Sequence, residues 1–269
     1  MVLAFDIGAS NIRAAEVSGA KIKNKTKTPT PKTKKEILNK VFSLISSYKN
    51  FSEICVSVAG FEYKGEIQGA LNMDLNDVPL KRILEKKFSV QVKIQNDARC
   101  AALAELKYGA GKNLNNFVLL TLGTGIGGAI VINKKLYLGN GTAGEIGSMY
   151  LNEKIFEHLA SGTAVKILAS EKKLKTTSPY ELDELAKRGN KEALSIFKEI
   201  GHNLGIGLAN LSYTLAPEAF ILGGGFSEVK HFFQEAEKTL HSLYEINPKP
   251  KIIKAKFSDD AGLIGAALL

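Results

Sequence analysis

Near its start the chain reads Val2-Leu3-Ala4-Phe5-Asp6-Ile7-Gly8-Ala9-Ser10-Asn11, and further along it reads Phe117-Val118-Leu119-Leu120-Thr121-Leu122-Gly123-Thr124-Gly125-Ile126-Gly127-Gly128. Each stretch is an apolar strand that runs into a polar or glycine-rich turn, and a second strand follows each turn to make a hairpin. The equivalent glycines, Gly8 and Gly123, lie a domain's length apart. A strand–turn–strand unit that recurs at this spacing predicts two related α/β halves.

Two related halves that face each other across a cleft form the actin-like, or ribonuclease H-like, ATPase fold, and this is the α/β fold class that we predict. The predicted domains are a small N-terminal α/β domain of residues 1–112 plus 256–269 and a larger C-terminal α/β domain of residues 113–255. Residues 259–269 are apolar and rich in small side chains, which predicts a helix that crosses back over the first domain. A helix is also predicted to begin at Ser178, and another at Ser227.

The composition is that of a globular protein, with 45% hydrophobic and 23% charged residues. No run reaches the roughly 20 apolar residues of a membrane span, and an acidic residue comes too early for a signal peptide, so we expect a cytoplasmic protein without a membrane partner. Many of the lysines behind the net charge of +9 lie in residues 21–35, which we interpret as a solvated hairpin and linker. No Arg or aromatic stripe accompanies them, which argues against a nucleic-acid partner. Cys55 and Cys100 have apolar neighbours and are predicted to be buried thiols.

The first turn has the residue types of a phosphate and metal site. Asp6 ends a strand and would hold Mg²⁺ through water. The backbone of Gly8 and the side chains of Ser10 and Asn11 would face phosphate oxygens.

The second turn, with Gly123, Thr124 and Gly125, is predicted to hold phosphates as well. It also fits the G-x-G-x-x-G pattern of dinucleotide-binding proteins, with Glu145 near the ribose-binding spacing. That pattern requires a helix after the turn, whereas residues 129–132 are mostly β-branched. The sequence therefore argues against a dinucleotide site.

A third group of polar residues suits a neutral polyol. Asp97 follows a strand and opens a helix, where it is either a plain helix cap or a group that a substrate approaches. Glu145 lies in a glycine-rich loop, and Glu157 follows it along the chain. Carboxylates accept pairs of hydrogen bonds from vicinal hydroxyls, so these residues, together with Asn72 and Asn96, would suit a sugar.

Five stretches in this order resemble the motifs of the ROK family of sugar kinases and sugar-responsive repressors, over almost the whole chain. They are Asp6-Ile7-Gly8-Ala9-Ser10-Asn11, Asn96-Asp97-Ala98-Arg99, Leu122-Gly123-Thr124-Gly125-Ile126-Gly127-Gly128, Ala143-Gly144-Glu145-Ile146-Gly147, and residues 217–225 with 260–266. The resemblance implies ATP and Mg²⁺ as cofactors and a homodimer.

The resemblance also implies a role for single residues. Asp97 would be the catalytic base, and Gly224 and Gly225 would lie near the adenosine. The implied sugar contacts are Asn96, Glu145 and Glu157, with Gly60 and Asn72 as further contacts. The chain departs from the family at Ser148, where a His usually follows Glu-Ile-Gly, and residues 149–156 contain no Cys or His, so no zinc site is predicted.

The expected function is ATP-dependent phosphorylation of a hexose, by in-line transfer with Asp97 as the base. Kinases for an N-acetylhexosamine, fructose or allose, and a non-catalytic sugar sensor, are alternatives. The repressor branch of the family carries a DNA-binding module before its kinase-like domain, and the first strand at Val2 leaves no room for one. An actin-like ATPase of the chaperone or filament type would not need the sugar set around Asp97 and Glu145.

Overall fold

The computed structural model describes residues 1–70, 73–229 and 231–269. The chain forms two compact units, of which the first comprises Met1–Lys112, Leu138–Thr142 and Asp259–Leu269 and the second comprises Asn113–Tyr137 and Ala143–Ser258. Each unit contains a five-stranded sheet. The two sheets have the same strand order, an antiparallel hairpin with a third strand on one side and two parallel strands on the other. The predicted α/β class with an internal repeat is confirmed.

The strands of the first unit are β1 (Val2–Ile7), β2 (Asn11–Ser18), β3 (Lys21–Pro29), β4 (Glu53–Val58), β5 (Phe61–Tyr63), β6 (Glu66–Gly69) and β7 (Gln91–Asn96). Its sheet has the order β3-β2-β1-β4-β7, and β5 pairs with β6 in a separate hairpin. The strands β1, β4 and β7 are parallel and in register. Their carboxyl ends therefore meet at one edge, where Asp6, Ser57 and Asn96 lie.

The helices of the first unit are α1 (Lys34–Ser47), α2 (Leu80–Phe88), α3 (Asp97–Tyr108) and, from the end of the chain, α9 (Ala261–Ala266). One face of the sheet carries large apolar side chains such as Phe5, whereas the other carries small ones such as Ala4 and packs with Cys100 of α3 and Leu263 of α9. Small side chains let these two helices approach the sheet closely. Both cysteines are buried, as predicted.

The strands of the second unit are β8 (Phe117–Leu122), β9 (Ile126–Ile132), β10 (Lys135–Tyr137), β11 (Tyr150–Leu151), β12 (Lys154–Ile155), β13 (Ala219–Gly223) and β14 (Lys251–Lys254). The sheet order is β10-β9-β8-β13-β14, and β11 pairs with β12 in a short hairpin. Since β9 follows the turn Gly123–Gly125 as a strand, the structure agrees with the argument against a dinucleotide site.

The helices of the second unit are α4 (Glu157–Ala160), α5 (Gly162–Glu171), α6 (Pro179–Lys187), α7 (Lys191–Leu215) and α8 (Phe233–Leu243). Ser178 caps α6 through the backbone N–H of Glu181, as predicted. The long helix α7 supplies the buried side chains Phe197 and Leu204 to the core of this unit. No helix among the described residues is long and apolar enough to cross a membrane.

One local prediction is wrong. Ser227 does not begin a helix: it lies in a 3₁₀ turn, its hydroxyl donates to the carbonyl of Gly224 at 2.7 Å, and α8 begins at Phe233. The lysine-rich stretch was predicted to be a solvated hairpin and linker, and most of it is the second strand of a hairpin, the edge strand β3 paired antiparallel with β2. Its exposed lysines discourage pairing with a further strand.

Candidate functional site

A buried carboxylate ends the central strand of the first unit. Asp6 is 8% exposed and lies between its register partners, Arg13 on β2 and Ser57 on β4. Arg13 Nη1 donates to Asp6 Oδ2 at 2.9 Å, and Ser57 Oγ donates to Oδ1 at 2.9 Å. Burial raises the pKa of Asp6 above its ordinary value of 3.8, although the Arg13 guanidinium and the Ser57 hydroxyl act in the opposite direction.

Two hydrogen bonds from Thr30 hold the turn that follows Asp6. The backbone N–H of Gly8 donates to the carbonyl of Asn11 at 3.0 Å. Thr30 donates its hydroxyl to the carbonyl of Gly8 at 2.6 Å and its backbone N–H to the carbonyl of Ser10 at 3.1 Å. The carbonyls are thus satisfied within the unit, while the side chain of Ser10 is exposed. This arrangement suits an anion that approaches the turn from solvent.

Asp97 is the first residue of α3, and the cap of that helix is Asn96 rather than Asp97. The Asn96 side chain accepts from the backbone N–H of Arg99 at 3.2 Å, and its Nδ2 donates to the carbonyl of Gly60 at 3.1 Å. Asp97 Oδ1 accepts from the backbone N–H of Ala98 at 2.9 Å, and the side chain is partly exposed. Asp97 therefore lies at the N-terminus of α3, with one carboxylate oxygen bonded to the backbone of the helix.

The carboxylates of Asp6 and Asp97 act on a common neighbour. Burial raises the pKa of the Cys100 thiol well above its ordinary value, and the negative charges of Asp6 and Asp97 raise it further. The strand ends that carry these two carboxylates belong to the same edge of the sheet. The first unit therefore brings together the candidate base and the candidate phosphate turn.

In the second unit, the turn Gly123–Gly125 is closed by the start of α5. The carbonyl of Gly123 accepts from the backbone N–H of Gly162 at 2.9 Å. The carbonyl of Thr124 accepts from the hydroxyl of Ser161 at 2.7 Å and from the backbone N–H of Thr163 at 2.9 Å. These bonds fix the turn against the start of α5, and they use the backbone N–H groups of Gly162 and Thr163.

Glu157 lies against the same turn. Its Oε2 accepts from the backbone N–H of Ile126 at 3.3 Å, and a methyl group added at Gly125 would lie 2.1 Å from that oxygen. Glycine at position 125 therefore makes room for the carboxylate. Two residues predicted for different ligands, Glu157 for the sugar and Gly125 for phosphate, are in direct contact.

The backbone of the loop that carries Glu145 comes very close to the backbone of β9 at two glycines. A methyl group at Gly147 would lie 2.1 Å from the carbonyl of Ile126, and one at Gly144 would lie 2.8 Å from the carbonyl of Gly128. Gly144 also has a φ of 100°, a conformation that favours glycine. Both glycines are thus required for the loop to lie on the strand, and Glu145 itself is exposed.

A cavity of about 290 Å³ lies in the second unit, close to the lower end of the range for small-molecule pockets. Its walls come from the glycine turn, from α5, from the start of α6 and from the turn after β13. The lining residues are Gly123, Thr124, Gly162, Lys166, Pro179, Tyr180, Gly225 and Phe226. The Tyr180 hydroxyl donates to the carbonyl of Gly225 at 3.3 Å and so joins two of these walls.

The turn after β13 depends on Gly224. This residue has a φ of 84°, and a methyl group there would lie 2.4 Å from the carbonyl of Leu122 in β8. The close approach brings Gly225 to the cavity that Gly123 and Thr124 also line. The second unit therefore gathers the residues predicted for the second phosphate turn and for the adenosine.

The hydrogen bonds at Asp6 leave this carboxylate poorly suited to bind a metal ion directly. Both oxygens of Asp6 already accept hydrogen bonds from Arg13 and Ser57. Within residues 1–70, 73–229 and 231–269, no group of three His, Cys, Asp or Glu side chains is arranged to hold a metal ion. A single carboxylate of this kind fits a water-mediated contact to a cation that arrives on the phosphates of a nucleotide.

The family model described as ROK family matches residues 2–269. The chain belongs to the ROK family. This ROK protein is 33% identical to an uncharacterised protein of Clostridium perfringens, over 97% of this chain and 95% of that protein. It is 28% identical to a glucokinase of Streptomyces coelicolor, over 99% and 96% of the two chains, and 30% identical to an N-acetylmannosamine kinase of Escherichia coli O6:H1, over 100% and 97%.

A solved structure of a ROK family glucokinase from Streptomyces griseus, in complex with glucose and AMPPNP, matches this ROK protein with a TM-score of 0.88 and 27% identity. The match covers 99% of this chain and 97% of that chain. The fold class predicted from the sequence, the actin-like ATPase fold, is thereby confirmed.

In this ROK protein, residues 149–156 form a short hairpin. This is the segment in which the sequence predicts no zinc site. The strands β11 and β12 lie there, and the backbone N–H of Phe156 donates to the carbonyl of Met149 at 2.7 Å to close the hairpin. Phe156 is fully buried against α7, where a methyl group at Gly207 would lie 2.3 Å from its ring. A backbone bond and a buried ring therefore order the segment. Ser148 is exposed in the turn before it.

Sequence reasoning missed several residues of the site and named one that the structure does not describe. Asn72 lies outside the described residues. Thr30 and Arg13, which support the first turn, could have been found from the two-residue periodicity of a hairpin, because Arg13 lies directly opposite Asp6. Tyr180 lies next to the predicted helix start at Ser178, but sequence reasoning assigned it no role in the site. Tyr180 and Gly225 line the same cavity because two segments that are distant in sequence pack together, and no local sequence pattern indicates this packing.

Proposed function

We propose that this protein transfers the γ-phosphoryl group of ATP to a hydroxyl group of a hexose, with Asp97 as the base. That the chain is an ATP-dependent sugar kinase rests on the ROK match along residues 2–269 and on relatives of nearly full coverage that are named glucokinase and N-acetylmannosamine kinase. The full-length match is the single observation that carries the proposal. The roles of single residues are supported by the contacts described above.

Asp97 has the position that a base for phosphoryl transfer requires. Its side chain is partly exposed at the N-terminus of α3. Asn96 holds that end of the helix by capping it and by its bond to Gly60. In a loose transition state for phosphoryl transfer, positioning matters more than basicity, so Asp97 would accept the hydroxyl proton mainly because of where it is held.

The donor nucleotide would bind in the second unit. The cavity beside Gly225 would take the adenosine, and the turn Gly123–Gly125, which lines the same cavity, would hold the phosphates. In the first unit, the turn Gly8–Asn11 would contact the phosphates with backbone N–H groups and the exposed Ser10. Mg²⁺ would enter as part of the nucleotide complex and neutralise the phosphate charge.

The sugar would be held by Asn96, Gly60, Glu145 and Glu157, with Asn72 as a further contact. This set carries no cationic side chain, which favours a neutral hexose over a sugar acid. The named relatives act on two different sugars, glucose and N-acetylmannosamine. We propose glucose as the first substrate to test, followed by the N-acetylated hexosamines, fructose and allose. A cytoplasmic homodimer completes the proposal.

The experiment that tests this function is a coupled assay of ADP formation across a panel of hexoses, with a blank that lacks sugar. The proposal predicts ADP formation that depends on one or a few hexoses and equals the sugar phosphate formed. ADP formation that no hexose accelerates would indicate an ATPase of another type. Hexose binding without any turnover would indicate a non-catalytic sugar sensor.

A further inference from the structure

One side chain of the site has no part in the reaction described so far, namely Arg13. In the hairpin register it lies opposite Asp6, and in the parallel register Ser57 lies beside Asp6 on the other side. The three side chains are thus neighbours on one face of the sheet. This face also receives α9, since a methyl group at Gly262 would lie 2.6 Å from Asp6 Oδ1.

Three groups therefore pack around the carboxyl group of Asp6. Ser57 bonds to Oδ1, Arg13 bonds to Oδ2, and Gly262 of α9 covers the carboxyl group. The remaining exposed fraction of the Asp6 side chain is 12%. An ion that binds directly needs a free carboxylate oxygen and space for its other ligands, which for Mg²⁺ are usually waters in an octahedron.

Arg13 is fixed by a second carboxylate. Its Nη2 lies 3.1 Å from Asp259 Oδ2, in the 3₁₀ turn Ser258–Asp260 that leads into α9. The neighbouring Asp260 pairs with Lys25 of β3. The planar guanidinium thus bridges two carboxylates in a fork that a lysine cannot reproduce. The positive charge of Arg13 occupies the position beside Asp6 that a bound cation would take.

We propose that Arg13 is the built-in counter-cation of Asp6, and that it keeps free Mg²⁺ from binding there, so that Mg²⁺ enters only with the nucleotide. A divalent ion that approaches Asp6 would meet the fixed positive charge of Arg13, and to bind Oδ2 it would have to displace a guanidinium that is held by both Asp6 and Asp259. The part of this proposal that concerns nucleotide rests on the proposed function. The part that concerns free Mg²⁺ does not.

The test is therefore made without nucleotide or sugar. Mg²⁺ binding is measured by titration calorimetry and by the shift of Tm in millimolar MgCl₂, at mildly alkaline pH and with KCl holding the ionic strength constant. The wild-type protein is expected to show no saturable binding and no shift of Tm. Arg13→Gln is expected to gain saturable binding and a Tm that rises by several degrees with MgCl₂, because binding to the folded state stabilises it.

Three further variants locate the effect. The double variant Arg13→Gln with Asp6→Asn should lose the Mg²⁺ response again, because it lacks the carboxylate. Arg13→Lys keeps a positive charge at this position and should fold without gaining a response. Arg13→Met removes the charge but keeps a long side chain, and it is the variant that should gain the response if Arg13→Gln does not fold. The proposal is overturned if the wild-type protein binds Mg²⁺ in a way that Asp6→Asn abolishes, if folded Arg13→Gln or folded Arg13→Met shows no response, or if Arg13→Lys responds. A failed hexose assay with these Mg²⁺ results intact would refute only the kinase proposal.

Discussion

The carboxylate of Glu157 rests on the glycine turn of the second unit, where its Oε2 accepts a hydrogen bond from the backbone N–H of Ile126 at 3.3 Å. A residue predicted to bind the sugar is thus bonded to the segment predicted to bind the phosphates. The contact exists because Gly125 has no side chain. It offers a direct way to perturb sugar binding from within the phosphate turn.

Gly125→Ala should weaken sugar binding. Its methyl group would lie 2.1 Å from Glu157 Oε2 and would force the carboxylate away from its present position. We expect the KM for the sugar to rise about tenfold or more, as the loss of a charge-assisted hydrogen bond requires. The matched control is Gly123→Ala, whose methyl group meets no described atom within 4 Å. A sugar Kd that changes equally in both variants, measured without nucleotide, would refute the role of this contact.

Gly224→Ala should lower the free energy of unfolding by more than the strain of a left-handed backbone conformation accounts for. Its φ of 84° is strained for alanine, and its methyl group would lie 2.4 Å from the carbonyl of Leu122. The expected loss in the free energy of unfolding is about 3 kcal/mol or more.

Gly189→Ala is the control for this substitution, because Gly189 has a similar φ of 79° but no described atom within 4 Å of the added methyl group. It should cost only about 1–2 kcal/mol, the strain of an alanine in a left-handed backbone. Urea unfolding of both variants measures the difference. Equal losses would mean that the approach of Gly224 to Leu122 does not matter for stability.

Tyr180→Ala should raise the KM for ATP and leave the KM for the sugar nearly unchanged. The Tyr180 ring forms a wall of the cavity, and its hydroxyl is bonded to Gly225. We expect about a tenfold effect from the lost contact area and a much smaller effect for Tyr180→Phe, which loses one neutral hydrogen bond. Initial rates at varied ATP and at varied sugar separate the two constants. A rise in the sugar KM alone would place the nucleotide elsewhere.

The pH dependence of stability should reveal the buried carboxyl group of Asp6. Because its pKa is raised in the folded protein, the folded state binds the proton more tightly than the unfolded state. The contribution of Asp6 to the free energy of unfolding is therefore largest in acid and falls as the pH rises from 3.8 through the folded-state pKa. Wild type minus Asp6→Asn, measured by urea unfolding across this range, should fall with pH. A difference that rises with pH would contradict a raised pKa of Asp6 in the folded protein.

The repeated hairpin and its position along the chain could be predicted from the sequence, because strand–turn–strand units are local patterns. The start of α6 at Ser178-Pro179 could be predicted for the same reason, since a cap and its helix are adjacent. The start of α8 could not. Ser227 has the residue type of a cap, but its hydroxyl bonds back to Gly224 and closes a 3₁₀ turn instead.

The site was predicted less completely than the fold. Asp6, Asn96 and Gly125 could be predicted because each lies at the end of a strand or in the turn between two strands. The partners that hold them come from segments distant in sequence: Ser57 for Asp6, Gly60 for Asn96 and Glu157 for Gly125. Such pairs are fixed by sheet order and helix packing, which no local pattern encodes. The bridge from Arg13 to Asp259 also depends on the end of the chain returning to the first unit.

The most direct test of the proposed reaction is the turnover of Asp97→Asn. The asparagine keeps an oxygen that can accept from the backbone N–H of Ala98, as Asp97 Oδ1 does at 2.9 Å, so the variant should fold. It cannot accept the hydroxyl proton. The control is Asp77→Asn, an exposed residue at a φ of 55°, which asparagine tolerates. With the preferred hexose, we expect kcat of Asp97→Asn to fall by about 10²–10⁴-fold while sugar binding persists and Asp77→Asn behaves as wild type. A kcat of Asp97→Asn close to that of the wild type would contradict the assignment of Asp97 as the base.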